Sequence, residues 1–195
     1  MILGIEASSI RGGGGATHLK ELLRAFDPQK HRFARVVVWS GKAVLAQLPD
    51  APWLKKQTHW YIDRGLVLRL FWQRFLATRQ VEKERIDVLF VPGGLHHLQF
   101  RPLVTMSHNM LPFDLQERDR YGLSYFGIRL RLLEWRLGRV FTSADGVIFL
   151  TYYALNNIAK MLKTLVHSSA VVPVPNISAN CSALVSLVSG VPRSV

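Results

Sequence analysis

The chain has one cysteine, Cys181. It can form no internal disulfide, which fits a reducing compartment. Acidic residues are also scarce: 13 Asp and Glu stand against 25 Lys and Arg, a net charge of +12. Such an excess attracts polyanions, whether nucleic acid, an anionic membrane or a phosphorylated small molecule, and does not choose among them. Long apolar runs are missing, and none reaches the length of a bilayer span. Residues 170–192 carry no charge, but Pro173, Pro175, Asn176 and Asn180 interrupt them. The opening, MILGIEASSI, has no basic residue ahead of its apolar part, so no secretory signal is expected. Metal-ligand spacing is lacking too. His96 and His97 are adjacent, and adjacent side chains rarely converge on one ion, so no metal is expected. There is no G-x-S-x-G, and hence no support for a hydrolase elbow.

What is present is a folded, alternating pattern. Nearly half the residues are hydrophobic (49%), and 195 residues suffice for one domain with a real core. Short apolar runs at 2–7, 35–39, 87–91, 103–107 and 146–151 read as strands, with a short strand at 59–62 and a last one at 170–174. RVVVW and DVLFV are continuous rather than alternating, which indicates burial on both faces. Helical patterns fall at 16–26, 41–48, 66–85, 117–141 with a break near Gly122, and 153–165. Strands alternating with helices give an α/β fold: a Rossmann-like three-layer sandwich with a mainly parallel sheet. The domain is expected over 1–165, followed by an irregular tail over 166–195 that is rich in Ser and Val.

Four stretches carry chemistry. Gly12–Gly15 stand between the first strand and the first helix, where backbone N–H groups can meet an anion. A tight strand-to-helix turn is the competing reading. The dinucleotide fingerprint fails because Thr17 holds the third glycine position and the second strand ends in Trp39-Ser40, without an acidic residue. His108 and Asn109 follow a strand directly, on the same carboxyl edge, where open α/β sheets bind ligands. The competing reading for His108 is a surface or hydrogen-bonded histidine. Arginines crowd residues 118–139, either as a solvated helix face or as partners for phosphate. Residues 64–79 mix Leu68, Phe71, Trp72 and Phe75 with Arg64, Arg69, Arg74 and Arg79. That mixture suits an anionic membrane surface or a core helix with a basic rim.

Taken in order, RGGGGATHLKELL, DVLFVPGG, RPLVTMSHNMLPFD, ERDRYGLSYFGIRLRLLEW and FTSADGVIFLTYYA resemble the N-terminal, acceptor-binding half of a family 4 glycosyltransferase of the GT-B type, over residues 2–163. The resemblance implies two Rossmann-like domains facing a cleft, a nucleotide-sugar donor as co-substrate, no other cofactor, no metal, and transfer with retained anomeric configuration. It implies polysaccharide or glycolipid biosynthesis in the cytoplasm, peripheral at the inner face of a membrane. The acceptor would be a glycan or lipid-linked; nucleic acid is not an expected partner. By position, Gly13, Gly14 and Gly15 match the loop near the donor diphosphate and the acceptor. His108 matches the histidine beside the donor sugar, with Asn109 next to it. Arg120, Tyr121 and Thr151 fall on the acceptor side.

Family members go on to a second domain that binds most of the donor and carries a glutamate pair. Nothing after Leu165 supplies it, and VVPVPNISANC departs from the family's strand and His-Gly. A truncated or frame-disrupted chain, inactive without a separate donor-binding domain, is therefore the expectation. A stand-alone module binding a phosphorylated ligand, an anionic membrane or a partner protein is the alternative.

Overall fold

The computed structural model describes residues 1–31, 33–94, 96–122, 124–162 and 169–171. Of the expected tail over 166–195, only residues 169–171 are described, and Cys181 lies outside them.

Seven strands form one sheet in the order β3-β2-β1-β4-β5-β6-β7. They are β1 (Ile2–Glu6), β2 (Arg35–Trp39), β3 (Leu54–Gln57), β4 (Val88–Val91), β5 (Leu103–Ser107), β6 (Gly146–Phe149) and β7 (Ser169–Val171). Every neighbouring pair is parallel. Strands β4, β5 and β6 are buried at every residue, as their unbroken apolar runs require. The chain lays β1, β2 and β3 outward in one direction, returns to place β4 beside β1, and continues the other way. The sheet therefore has a switch point between β1 and β4, where a crevice opens at the carboxyl rim.

Helices cover both faces, giving three layers and two cores. On one face, α1 (Gly13–Arg24) packs with α3 (Lys42–Leu45), which follows the four-residue α2 (Pro28–His31). The other face carries a helical run: α5 (Leu66–Phe71), a π-helical turn (Trp72–Leu76) and α6 (Ala77–Lys83), preceded by α4 (Trp60–Asp63). The same face carries α8 (Tyr125–Ser143) and α9 (Tyr152–Leu162). Helix α7 (Leu115–Arg120) leads into α8.

The structure corrects some boundaries. Residues 60–63 are helix, not strand: His59 Nδ1 accepts a hydrogen bond from the Tyr61 N–H at 3.4 Å and caps it. The strand lies earlier, at β3, whose LKKQ has no apolar pattern because it edges the sheet. The expected long helix at 66–85 contains the π turn. The expected break near Gly122 separates α7 from α8, with Gly122 at φ +47°. The sheet continues past residue 165 through β7, which pairs with β6.

Candidate active site at the carboxyl rim

Three of the four glycines are the first turn of α1 rather than a turn ahead of it. Gly12 caps the helix with φ +154°, and Gly13 sits at φ +62°. Both conformations are ones a side chain resists. Gly14 is different. Its φ is ordinary, and a Cβ there would meet nothing within 4 Å. Neither backbone nor packing demands a glycine at Gly14. What its bareness provides is direct access to the opening N–H groups of α1, which no side chain caps and no acidic residue of the first turn faces.

One turn into α1, His18 meets His108, which follows β5. The rings pack edge to face with centroids 5.1 Å apart and planes at 80°. The glycine-opened helix and His108 are thus neighbours on one rim. Lost hydration lowers the pKa of His108 to about 4, and the nearby His18 adds to the shift. His18 is lowered as well, by burial. Although His108 keeps one side open to solvent, its imidazole is neutral at pH 7. It can donate one hydrogen bond and accept another.

A cavity of about 130 Å³ opens beside it, lined by Gly93, Gly94, Ser107, His108 and Asn109 with Leu133 behind. The Ser107 hydroxyl is buried there without a protein partner. Asn109 Oδ1 accepts from the Leu111 N–H at 3.0 Å and fixes the loop that carries His108. At the switch point itself, the loop after β1 lies against the loop after β4: a Cβ at Gly93 would collide with the Ser9 hydroxyl.

The remaining expected residues sit differently. Thr151 Oγ1 accepts from the Ala154 N–H at 3.0 Å and caps α9. Arg120 pairs with Glu117 at 2.7 Å within α7. Tyr121 stands edge-on to Phe126, 4.6 Å between centroids. Neither Arg120 nor Tyr121 lines the His108 cavity.

Beneath the rim lies a polar network that sequence reasoning missed. Glu6 ends β1 fully buried. The Ser8 N–H donates to its carboxylate at 3.0 Å. Gln73, from the π turn, donates to Glu6 at 3.4 Å and to Ser8 Oγ at 2.9 Å. Burial raises the pKa of Glu6 against the pull of these donors and of Arg69. The available signal was an acid closing an apolar strand and a glutamine inside an apolar helix.

On the far side of the crevice, a cleft of about 330 Å³ runs between α5 with its π turn and α8, from Ser9 past Arg69, Arg129 and Arg136. Arg136 donates to His97 Nε2 at 2.8 Å and so holds that ring with its proton on Nδ1. Among the described residues, no group of three or more His, Cys, Asp or Glu could hold a metal ion.

A parallel sheet with helices on both faces and a glycine-opened rim at its switch point defines a Rossmann-like domain of the kind that pairs across a cleft in GT-B enzymes. A model of glycosyltransferase family 4 matches residues 12–177, and the chain belongs to that family. Among solved structures, a UGT transferase from Siraitia grosvenorii, determined in complex with UDP, is similar with a TM-score of 0.55 and 12% identity. The match covers 91% of this chain and 51% of that one, so the chain spans about half the length of that relative. No curated protein matches the chain in sequence.

Proposed function

We propose that this chain is the acceptor-side domain of a retaining glycosyltransferase that uses a nucleotide-sugar donor. The observation that carries the reading is the contact between His18 and His108, which joins the glycine-opened start of α1 to the histidine at the end of β5. UDP in the similar structure supports a nucleotide donor. In the proposed reaction the bond from the anomeric carbon to the diphosphate breaks and the acceptor oxygen takes its place with configuration kept. The acceptor's proton goes to the departing diphosphate. Bare N–H groups at Gly13–Gly15 stabilise the charge that develops on the diphosphate. Neutral His108 holds a sugar or acceptor hydroxyl by hydrogen bond, and Asn109 fixes the loop that carries it. Arg120, Tyr121 and Thr151 border the acceptor at a greater distance.

Most donor contacts come from a second Rossmann-like domain, and the chain alone transfers no sugar. Peripheral attachment at the inner face of a membrane and a role in polysaccharide biosynthesis belong to the same proposal. The test joins the chain to a donor-binding domain of the family, supplies a panel of nucleotide sugars, and measures nucleoside diphosphate release. Release by the joined protein and by neither part alone supports the reading. Equal release by the isolated donor domain contradicts it.

A further inference from the structure

His108 lacks the anchor that a working histidine ordinarily has. The orientation and tautomer of such a ring are commonly set by a carboxylate or carbonyl that takes the proton of its second nitrogen. Among the described residues, no protein group makes a hydrogen bond to the His108 ring. The bond from the Leu111 N–H to Asn109 fixes the loop, which places the backbone of His108 but not its side-chain torsions. What stands against the ring itself is His18, edge to face with centroids 5.1 Å apart.

His18 comes from the helix that begins with the glycines. Ala16, Leu19, Leu22 and Leu23 seat α1 in the core, and His18 borders that seated face. Helical side chains lean back over the preceding turn. For His18 that turn starts at Gly14, four residues earlier, which has no side chain. The bare opening of α1 and the His18 ring therefore share one side of the helix. The Nε2 of His18 is buried, and no protein group among the described residues bonds to it. Burial also lowers its pKa, so the ring is uncharged at pH 7. His18 thus offers His108 the contact of a neutral ring and not a hydrogen bond.

We propose that His18 is a positioning residue for the transfer reaction, its ring holding the imidazole of His108 in register with the glycine-opened turn of α1. One rigid helix then sets the spacing between the hydroxyl that His108 holds and the diphosphate that residues 13–15 hold. Two independent loops would leave that spacing loose, and small misplacements of reacting groups are costly. The inference rests on the transfer reading above. In it His18 acts through His108 and touches no reacting atom.

The experiment has two arms. In the full chain, NMR follows the imidazole signals of His108 as pH falls. The parent ring should titrate at about 4. His18→Ala opens the ring to water and removes the neighbouring imidazole, so titration should move up toward the usual 6.5. His18→Phe keeps the burial and should stay closer to the parent. In the chain joined to a donor-binding domain, initial rates are measured over a range of donor concentrations. His18→Ala should lower kcat about tenfold, the worth of one ring contact, with KM for the donor little changed. His18→Phe should restore most of that loss. His18→Ala combined with His108→Ala should be no slower than His108→Ala alone, because one residue acts through the other. Circular dichroism confirms the fold of each variant. Parental kcat in His18→Ala, unchanged His108 signals in that variant, or losses that multiply in the double variant would overturn the proposal. So would a phenylalanine variant as slow as the alanine one, which would mean that a nitrogen of His18 itself meets the substrate. A joined parent that transfers nothing would count against the transfer reading, and the NMR arm would still decide whether His18 holds His108.

Discussion

Glu6 shows how one side chain can be held against its own charge. Burial raises its pKa, so the folded chain binds that proton more readily than the unfolded chain. Its contribution to stability is present at low pH and lost as pH rises through the raised value. Glu6→Gln should therefore raise the thermal midpoint at pH 8, with the gain vanishing near pH 4. A variant less stable than the parent at pH 8 would show that Ser8 and Gln73 make the ionised carboxylate a net asset. The histidines run the other way. His96 and His108 are both lowered to about 4, chiefly by lost hydration. The unfolded chain takes up their protons below about pH 6.5, so stability is held above that pH and lost as pH falls toward 4. For His96 the neighbouring His97 adds to the shift and the Leu98 backbone opposes it. Thermal melts of His96→Leu should show a smaller acid loss over that window. The acid closing β1 is visible in the sequence but does not by itself mark a site, because an acid at a strand end looks the same whether it faces solvent or a π turn.

Helix α1 separates two reasons for glycine. At Gly14 an alanine fits a helical backbone and meets nothing. Gly14→Ala should leave stability unchanged or raise it by up to about 1 kcal/mol. In the joined enzyme it should lower transfer about tenfold, the cost of about one hydrogen bond at the diphosphate. Undiminished transfer would mean that nothing approaches this turn. At Gly127, in the first turn of α8, a Cβ would run into the Gly122 carbonyl. Buried strands were readable because burial on both faces leaves unbroken apolar runs such as RVVVW and VLFV. Strand β3 was not, because LKKQ keeps its lysines at the sheet edge, where Lys55 pairs with Glu84 at 2.7 Å. Helix α4 reads as a strand in the sequence because Trp60, Tyr61 and Ile62 favour strands intrinsically, while the His59 cap and burial of Ile62 decide for helix. The π turn leaves no mark in the residue pattern.

For the molecule as a whole, alternation of strands and helices implies a parallel sheet, and a parallel sheet puts the ends of β1 and β5 on one rim. That much could be reasoned from the chain. The closeness of His18 to His108 could not, since it depends on how α1 lies across the sheet. The exposed rings of α5 and α8, Phe71 and Trp135 among them, were partly legible as a mixture of aromatics and arginines, but only packing shows which of those rings the core leaves outside. The most direct measurement is the turnover of the joined enzyme with His108 and with His108→Ala. If the rim beside α1 is one wall of a transfer cleft, the alanine variant should retain its fold and lose about a hundredfold in kcat. Turnover equal to the parent would mean that the reaction takes place elsewhere.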